Sequence, residues 1–465
     1  MTDVYEQAYS LARAWIDDLP SVPAGAPSTL GELRDLFEAP LPETGELPEE
    51  VIPDLAHRAR GGLNANASGR FFGWVMGGSV PSALAADWLV SAWDQNAAIY
   101  AVSPIGAVIE EVAGAWVKDL FDLPRDASFA FTTGCQLAHV TALASARHAV
   151  LKRAGWDVEE NGIFGAPAIR LISTHNRHDS IDRAARFLGL GRASITEIET
   201  DALGRMDADA LRRVLADTSG PTIVSLNAAD LNIGAFDNFE TLIPIAKAAG
   251  AWVHIDGAFG LFARVSRAKA HLVKGIEQAD SWSTDGHKWL NVPFDCGIVI
   301  IRDSHAHRGA MAQSADYIDL DTGGRNQLDW NLEWSRRARA IPVYAALREM
   351  GRSGVEALID RCCAYCSTLV ERIGALPGAE IVVAPELNQG LVRFIREGAS
   401  DEENATFTDE VVAAINDTGE AFFSPTIWNG IRAMRISVVN WQTNDSDVDR
   451  AVAAASSVLE QLRRA

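Results

Sequence analysis

The sequence predicts an α/β protein: a large domain built on a mostly parallel sheet, followed by a smaller α+β domain. Three observations predict it. Apolar runs near Ala168 to Ser173, Thr222 to Leu226 and Trp252 to Ile255 alternate with helical stretches Ser180 to Leu188, Ala208 to Leu215 and Phe239 to Ala249. That alternation is the signature of parallel strands covered on both faces. The chain has 465 residues, 48% of them hydrophobic, enough for a large core and more than one domain. After a helical region from Arg336 through Ile373, short strand-like runs follow near Glu380 to Val383, Gly390 to Phe394 and Met434 to Val438, with a closing helix from Ser446 to Arg463. The expected division is an N-terminal helical segment over 1–60, a large domain over 61–345 and a small domain over 346–465.

Composition excludes several classes of partner. Lys+Arg total 41 against Asp+Glu 62, a net charge of -21, which repels nucleic acid and anionic membrane surfaces. Five cysteines in a chain this long make no disulfide framework. Cys362, Cys363 and Cys366 cluster in CCAYC, but no second Cys or His pair stands nearby at ligand spacing, so they read as core residues of a cytoplasmic protein and no metal is expected. The N-terminus, MTDVYEQAYSLARAWIDDL, is an acidic amphipathic helix and not a signal peptide. No run reaches the roughly 18 apolar residues that span a membrane.

In chain order, the first helix leads through the Pro-rich linker Leu19 to Ser28 into further helical segments. Between Arg70 and Pro104, glycines alternate with large aromatics, among them Phe72 and Trp74. Glycine lets a backbone approach a ligand and aromatics supply apolar walls, so Phe72 and Trp74 are candidates to contact a substrate; a Gly-rich loop before a core helix reads equally well. Arg70 could pair with an acidic substrate or sit in a structural ion pair. After the helix Ile105 to Leu120, the turn Thr133, Gly134, Cys135 and Gln136 opens a long helix. Free N–H groups at a helix start make these four residues candidates for a phosphate dianion. His178 follows a strand and opens a helix, the place of a capping residue, with His175 as its neighbour. Asn232 lies in the polar loop NAADLNIGAFDN after another strand.

The centre of the chain is the stretch from Trp252 to Gly297. One apolar run ends in His254-Ile255-Asp256, and a second ends in His287-Lys288-Trp289, each reading as a buried strand that delivers a charged residue to the sheet edge where open α/β sheets bind ligands. A buried aspartate needs a cationic partner, and a buried lysine needs its amine consumed or neutralised. A lysine can carry an aldehyde cofactor as a Schiff base, and a carboxylate can pair with the pyridinium nitrogen of pyridoxal phosphate. Ser281, Thr284 and His287 add hydrogen-bonding groups.

At these residues a resemblance becomes specific. His254-x-Asp256-x-Ala258, then His287-Lys288-Trp289 and Asp295-Cys296, resemble the pyridoxal-phosphate-dependent group II amino-acid decarboxylases, and the similarity runs from about Phe71 to Trp441. The resemblance implies the fold type I architecture of aspartate aminotransferase and a homodimer. It implies pyridoxal phosphate on Lys288 with Asp256 at the ring nitrogen, Ala258 beside it, His178 stacked on the ring, and His287 near the phosphate or the substrate carboxylate. Asn232 stands where the family often has a threonine reaching the phenolic oxygen, while Cys135 and Gln136 depart from the family's small or hydroxyl residues. Tyr317, 29 residues after Lys288 in the stretch SHAHRGAMAQSADYIDLDTGGRNQ, matches the family's catalytic-loop tyrosine. The implied reaction is decarboxylation of an L-amino acid to its amine and carbon dioxide. Carbon–carbon cleavage or oxidative deamination on the same cofactor, and a binding protein that keeps the fold, stand as alternatives.

Overall fold

The computed structural model describes residues 3–217, 220–313 and 323–464. Tyr317, in the segment 314–322, lies outside the described residues. The chain divides into two compact units, 77–363 and a second made of 1–76 with 364–465.

The first unit is built on seven strands: β1 (Ser128–Thr132), β2 (Arg170–Thr174), β3 (Ile195–Ile198), β4 (Thr222–Asn227), β5 (Trp252–Asp256), β6 (Ser281–Asp285) and β7 (Gly297–Ile301), in the order β1-β7-β6-β5-β4-β2-β3. β3, β2, β4, β5 and β6 pair in parallel, and β7 alone runs against its neighbours β1 and β6. The interior strands are buried along their whole length, which is why they read as continuous apolar runs and not as alternation. Helix Gly134–Arg153 covers one face, burying Ala138, Ala142 and Leu143 against strand residues such as Ala130, Val299 and Ile301. Glycine at 297 is required there, because a Cβ would overlap the backbone of Gly134.

The second unit carries a four-stranded antiparallel sheet, β8 (Ala379–Val383), β9 (Gln389–Phe394), β10 (Ser424–Trp428) and β11 (Ile431–Ser437), with helices Asp401–Asp417 and Asp445–Arg464. The N-terminal helices belong to this unit and form no segment of their own, unlike the expected division at 60/61. The reason is a backbone knit: Ala24 donates to Gly419, Phe72 to Phe422 and Ser437 to Phe72. The expected boundary at 345/346 also moves, since it falls inside helix Ala340–Gly374, which is broken only at Gly351, and the division comes at 363/364.

Candidate active site

The C-terminal ends of β5 and β6 are in register, with His254 opposite Ser281 and Asp256 opposite Ser283. Two-residue periodicity puts His254 and Asp256 on one face and Ser281, Ser283 and Asp285 on the matching face of the next strand. Past Asp256 the backbone is tied to β6: Gly257 N–H donates to Ser283, and the Ala258 carbonyl accepts from Asp285 N–H at 2.9 Å and Thr284 Oγ1 at 3.3 Å. Ala258 N–H in turn donates to Asp256 Oδ1 at 3.2 Å, so Ala258 and Thr284 hold the aspartate's turn in place.

Lys288 does not end the strand, as its sequence suggested. β6 stops at Asp285 and Lys288 sits in the single helical turn Gly286–Trp289, which Gly286 begins. The Gly-rich segment predicted to lie close to a ligand approaches this turn: a Cβ on Gly77 would overlap the Lys288 carbonyl, and Val80 N–H donates to Asn291. Lys288 Nζ is 3.0 Å from Asp285 Oδ2 and stands over the Phe259 ring, 5.7 Å from its centre. Burial works against the ammonium charge, but Asp285, Cys135 and Asp256 together outweigh it and hold the Lys288 pKa above the ordinary lysine range.

Asp256 is buried and, among the described residues, pairs with no arginine or lysine; His139 Nε2 lies 3.5 Å from its Oδ2. Burial opposes its ionisation, and His139, His178 and the Ala258 N–H overcome that opposition, leaving its pKa well below the usual carboxylate range. An anion buried at a sheet edge with no lysine or arginine partner among the described residues matches a cationic ring nitrogen, so the residues fit pyridoxal phosphate. Cys135, His139 and Asp256 also bring ligand atoms within 4.8 Å of one another, the one described group with metal-like spacing.

His178 takes the capping place its position in the sequence suggested. It caps helix Asp179–Phe187, its Nδ1 accepting from Ser180 N–H at 3.1 Å, and it still feels the charges of Asp256 and Lys288. Because a backbone N–H can only donate, Nδ1 is bare and the ring hydrogen is on Nε2. Burial lowers its pKa, which keeps the ring neutral. His287 repeats the pattern: Nδ1 accepts from Cys296 N–H at 3.2 Å, burial lowers its pKa, and its ring packs 4.4 Å from that of Phe294.

At the start of helix Gly134–Arg153, Thr133 is the N-cap residue without a side-chain cap bond, and Cys135 N–H donates to Asp285 Oδ1 at 2.7 Å. The Cys135 thiol is pushed up strongly by burial and by Asp285, so it is no nucleophile. The Gln136 side chain turns away to donate to the Ser180 carbonyl at 3.2 Å. The Cys135 and Gln136 side chains are therefore engaged within the protein, while the Thr133 side chain makes no cap bond. Asn232 lies half-buried in the loop after β4, its N–H held by Asp230.

Two substrate candidates are corrected. Arg70 is fully buried and donates to the carbonyls of Gly419, Glu420, Pro20 and Val22, so it holds the N-terminal segment and offers no charge to a substrate. Phe72 is core, 1% exposed and stacked on Phe423. Trp74 is 46% exposed beside Phe71 and Phe422. All three belong to the unit of residues 1–76. Sequence reasoning missed His139 and Asp285. The period-two series Ser281, Ser283, Asp285 and the Cys135/His139 spacing of one helical turn were the available signals.

A mostly parallel sheet with an amine and a carboxylate gathered at its C-terminal edge defines the fold type I class of pyridoxal-phosphate enzymes. The family model described as the pyridoxal-dependent decarboxylase conserved domain matches residues 31–396, and the chain belongs to that family. It is 26% identical over 465 residues to an aromatic-L-amino-acid decarboxylase of Bacillus atrophaeus, covering 98% of this chain and 95% of the relative. It is 29% identical to an L-2,4-diaminobutyrate decarboxylase of Rhizobium meliloti over 82% of this chain and 76% of the relative. The fold matches that of Oryza sativa TDC, solved with PLP and tryptamine, at a TM-score of 0.91 and 22% identity, covering 99% and 97% of the two chains. The protein is an amino-acid decarboxylase, a carboxy-lyase with pyridoxal phosphate as its cofactor. No helix among the described residues is long and apolar enough to cross a membrane.

Proposed function

We propose that the protein removes the α-carboxylate of an L-amino acid with an apolar, bulky side chain, with Lys288 as the amine that carries the cofactor. The observation that carries this reading is the buried Asp256 carboxylate, without a lysine or arginine partner among the described residues, at the same sheet edge as the Lys288 amine. When bound, pyridoxal phosphate supplies an aldehyde for an amine and a ring that takes up the electron pair left by carbon dioxide. Asp256 keeps the ring nitrogen cationic. His178, neutral and with its hydrogen on Nε2, presents a donor beside Asp256. Asp285 holds the Lys288 amine, and the backbone at Thr133 to Gln136, with His287 and Thr284 nearby, forms the bed for the phosphate. Asn232 lies beyond the strand next to β5 and is the candidate for the phenolic oxygen. Tyr317 delivers the proton to the α-carbon, which separates amine formation from the deaminating and carbon–carbon-cleaving alternatives.

The bulky-side-chain preference is supported by the correction at Arg70, which withdraws a candidate cation for an acidic substrate, and by the aromatic-amino-acid relative that spans almost the whole chain. A homodimer is supported by exposed apolar side chains on two helices of one unit: Leu89 and Trp93 on Pro81–Trp93, and Ile105, Val108 and Trp116 on Pro104–Leu120. Five free, buried cysteines support work in the reducing cytoplasm. The test is a screen of the purified holoenzyme against the standard amino acids, reading carbon dioxide and amine together. Equal yields of both from an aromatic or large aliphatic amino acid are expected. Turnover confined to aspartate, glutamate or cysteine sulfinate would overturn the side-chain reading, and carbon dioxide with aldehyde in place of amine would overturn the reaction. Tyr317→Phe should cut amine formation at least tenfold, by an order-of-magnitude estimate for a lost general acid.

A further inference from the structure

Behind Asp256 lies a continuous set of buried polar contacts that the reaction as described does not use. Trp252 Nε1, which can only donate, is 2.9 Å from Ser281 Oγ. Ser281 Oγ is 2.9 Å from His254 Nδ1, His254 Nε2 is 2.9 Å from His139 Nδ1, and His139 Nε2 is 3.5 Å from Asp256 Oδ2. Ser283 Oγ stands 2.9 Å from His139 Nδ1, and Cys135 Sγ 3.4 Å from His139 Nε2. His254, His139, Ser281 and Ser283 are all 1% exposed or less.

The hydrogens in this line have a direction. Burial, then His139, push the His254 pKa down to about 3, so His254 is neutral and carries one hydrogen. If that hydrogen were on Nδ1, His139 Nδ1–H would have to donate to His254 Nε2, and His139 would need a hydrogen on both ring nitrogens to reach Asp256 as well. With the hydrogen on His254 Nε2, one ring hydrogen on each histidine serves the line: the Ser281 hydroxyl donates to His254 Nδ1, His254 donates to His139 Nδ1, and His139 Nε2–H donates to Asp256. The Trp252 donor occupies one lone pair of Ser281 Oγ and leaves the hydroxyl hydrogen free for His254 Nδ1. Chains of hydrogen bonds aligned this way polarise one another in a low-dielectric interior.

We propose that Ser281, His254 and His139 form one directed hydrogen-bond line that keeps Asp256 anionic, making His139 and His254 positioning residues for the protonation state of the cofactor ring nitrogen. This rests on the assignment of Asp256 to that nitrogen. The line explains how a carboxylate can stay ionised in the interior with no arginine or lysine partner among the described residues, and why His254 and Ser281 face each other across two strands in register.

The experiment loads the holoenzyme with cofactor labelled with nitrogen-15 in the ring and reads the nitrogen resonance, which separates pyridinium from pyridine. Wild type should give the pyridinium signal. His139→Leu should move it toward the unprotonated position, His139→Gln, which retains a side-chain N–H donor, should restore it, and Ser281→Ala, three contacts away, should move it less in the same direction. In parallel, kcat should fall about tenfold in His139→Leu with KM within about twofold, the split expected when only transition-state stabilisation is lost. Should His139→Leu fail to fold, His254→Asn and Ser281→Ala carry the test. An unmoved resonance in His139→Leu, or in both substitutes, while Asp256→Asn shifts it, overturns the line. An unmoved resonance in Asp256→Asn overturns the assignment beneath it. A stoichiometric metal ion on Cys135 and His139 in the purified holoenzyme also overturns the line, because it would take the Nε2 hydrogen's place.

Discussion

Two buried carboxylates on the same unit are treated in opposite ways. Glu110 and Arg336 are both fully buried and meet at 2.7 Å, and Arg336 also donates to the carbonyls of Ala97 and Phe131. The charge on Glu110 is cancelled by a guanidinium locked to the backbone, so the pair joins helix Pro104–Leu120 to the loop before helix Ala340–Gly374 and does nothing else. Asp256 has no such counterion among the described residues; its oxygens are met by one backbone N–H and one imidazole. A buried charge with a permanent counterion is architecture. A buried charge met by a backbone N–H and an imidazole, with no guanidinium or ammonium locked to it, retains the capacity to bind a cation that arrives later.

Several substitutions would break or sharpen that contrast. The largest effect belongs to the amine: on its proposed role, Lys288→Ala should lower kcat by about a thousandfold or more, and it should also lower thermal stability by leaving the buried Asp285 without its ammonium partner. Amine yield and a thermal melt on the same preparation check both halves. Glu110→Ala should act on stability alone, costing about 3–5 kcal/mol by stranding Arg336, while the surviving folded enzyme keeps its KM; urea unfolding followed by steady-state kinetics reads this out.

A third prediction concerns pH. His254 has a folded pKa of about 3 against an ordinary value of 6.5, so below 6.5 the unfolded chain takes up a proton that the folded chain refuses. Its contribution to stability is complete above pH 6.5 and is lost as pH falls, by up to about 3 kcal/mol at pH 4. His307, also pushed to about 3 by burial and Arg325, adds a second proton of the same sign. His254→Asn should therefore flatten, and not abolish, the acid limb of a stability-versus-pH curve. The smallest effect is at Gln136: its tie to the Ser180 carbonyl joins two helices, and Gln136→Ala should cost about 1 kcal/mol while cofactor affinity stays unchanged, as expected if the phosphate bed is backbone.

Much of this contrast was legible from the chain. The alternation of apolar runs and helical stretches places the parallel strands, and the two motifs ending at Asp256 and Lys288 place the reacting groups at one edge. Other features were hidden for identifiable reasons. Arg70 binds carbonyls, and since any residue supplies a carbonyl, no pattern in the partner segments at 20–22 and 419–420 announces it. The His254–Ser281 contact depends on strand register, which neither strand specifies alone. Lys288 was misplaced by a few residues because Ser281 to Asp285 alternates like a strand and Gly286 then turns the chain without a proline or a long loop to mark it. The N-terminal helices showed an apolar face needing cover, but not that their unit is completed by residues some 350 positions later.

The close approach of Gly297 to Gly134 has a practical meaning for anyone reshaping this enzyme. Because a methyl group at 297 would overlap the backbone that opens helix Gly134–Arg153, a library randomised at that codon should return almost only the parental residue. Codon 136, whose side chain points elsewhere, should accept broad replacement. Mutational tolerance would thus change abruptly between two positions that border the same turn.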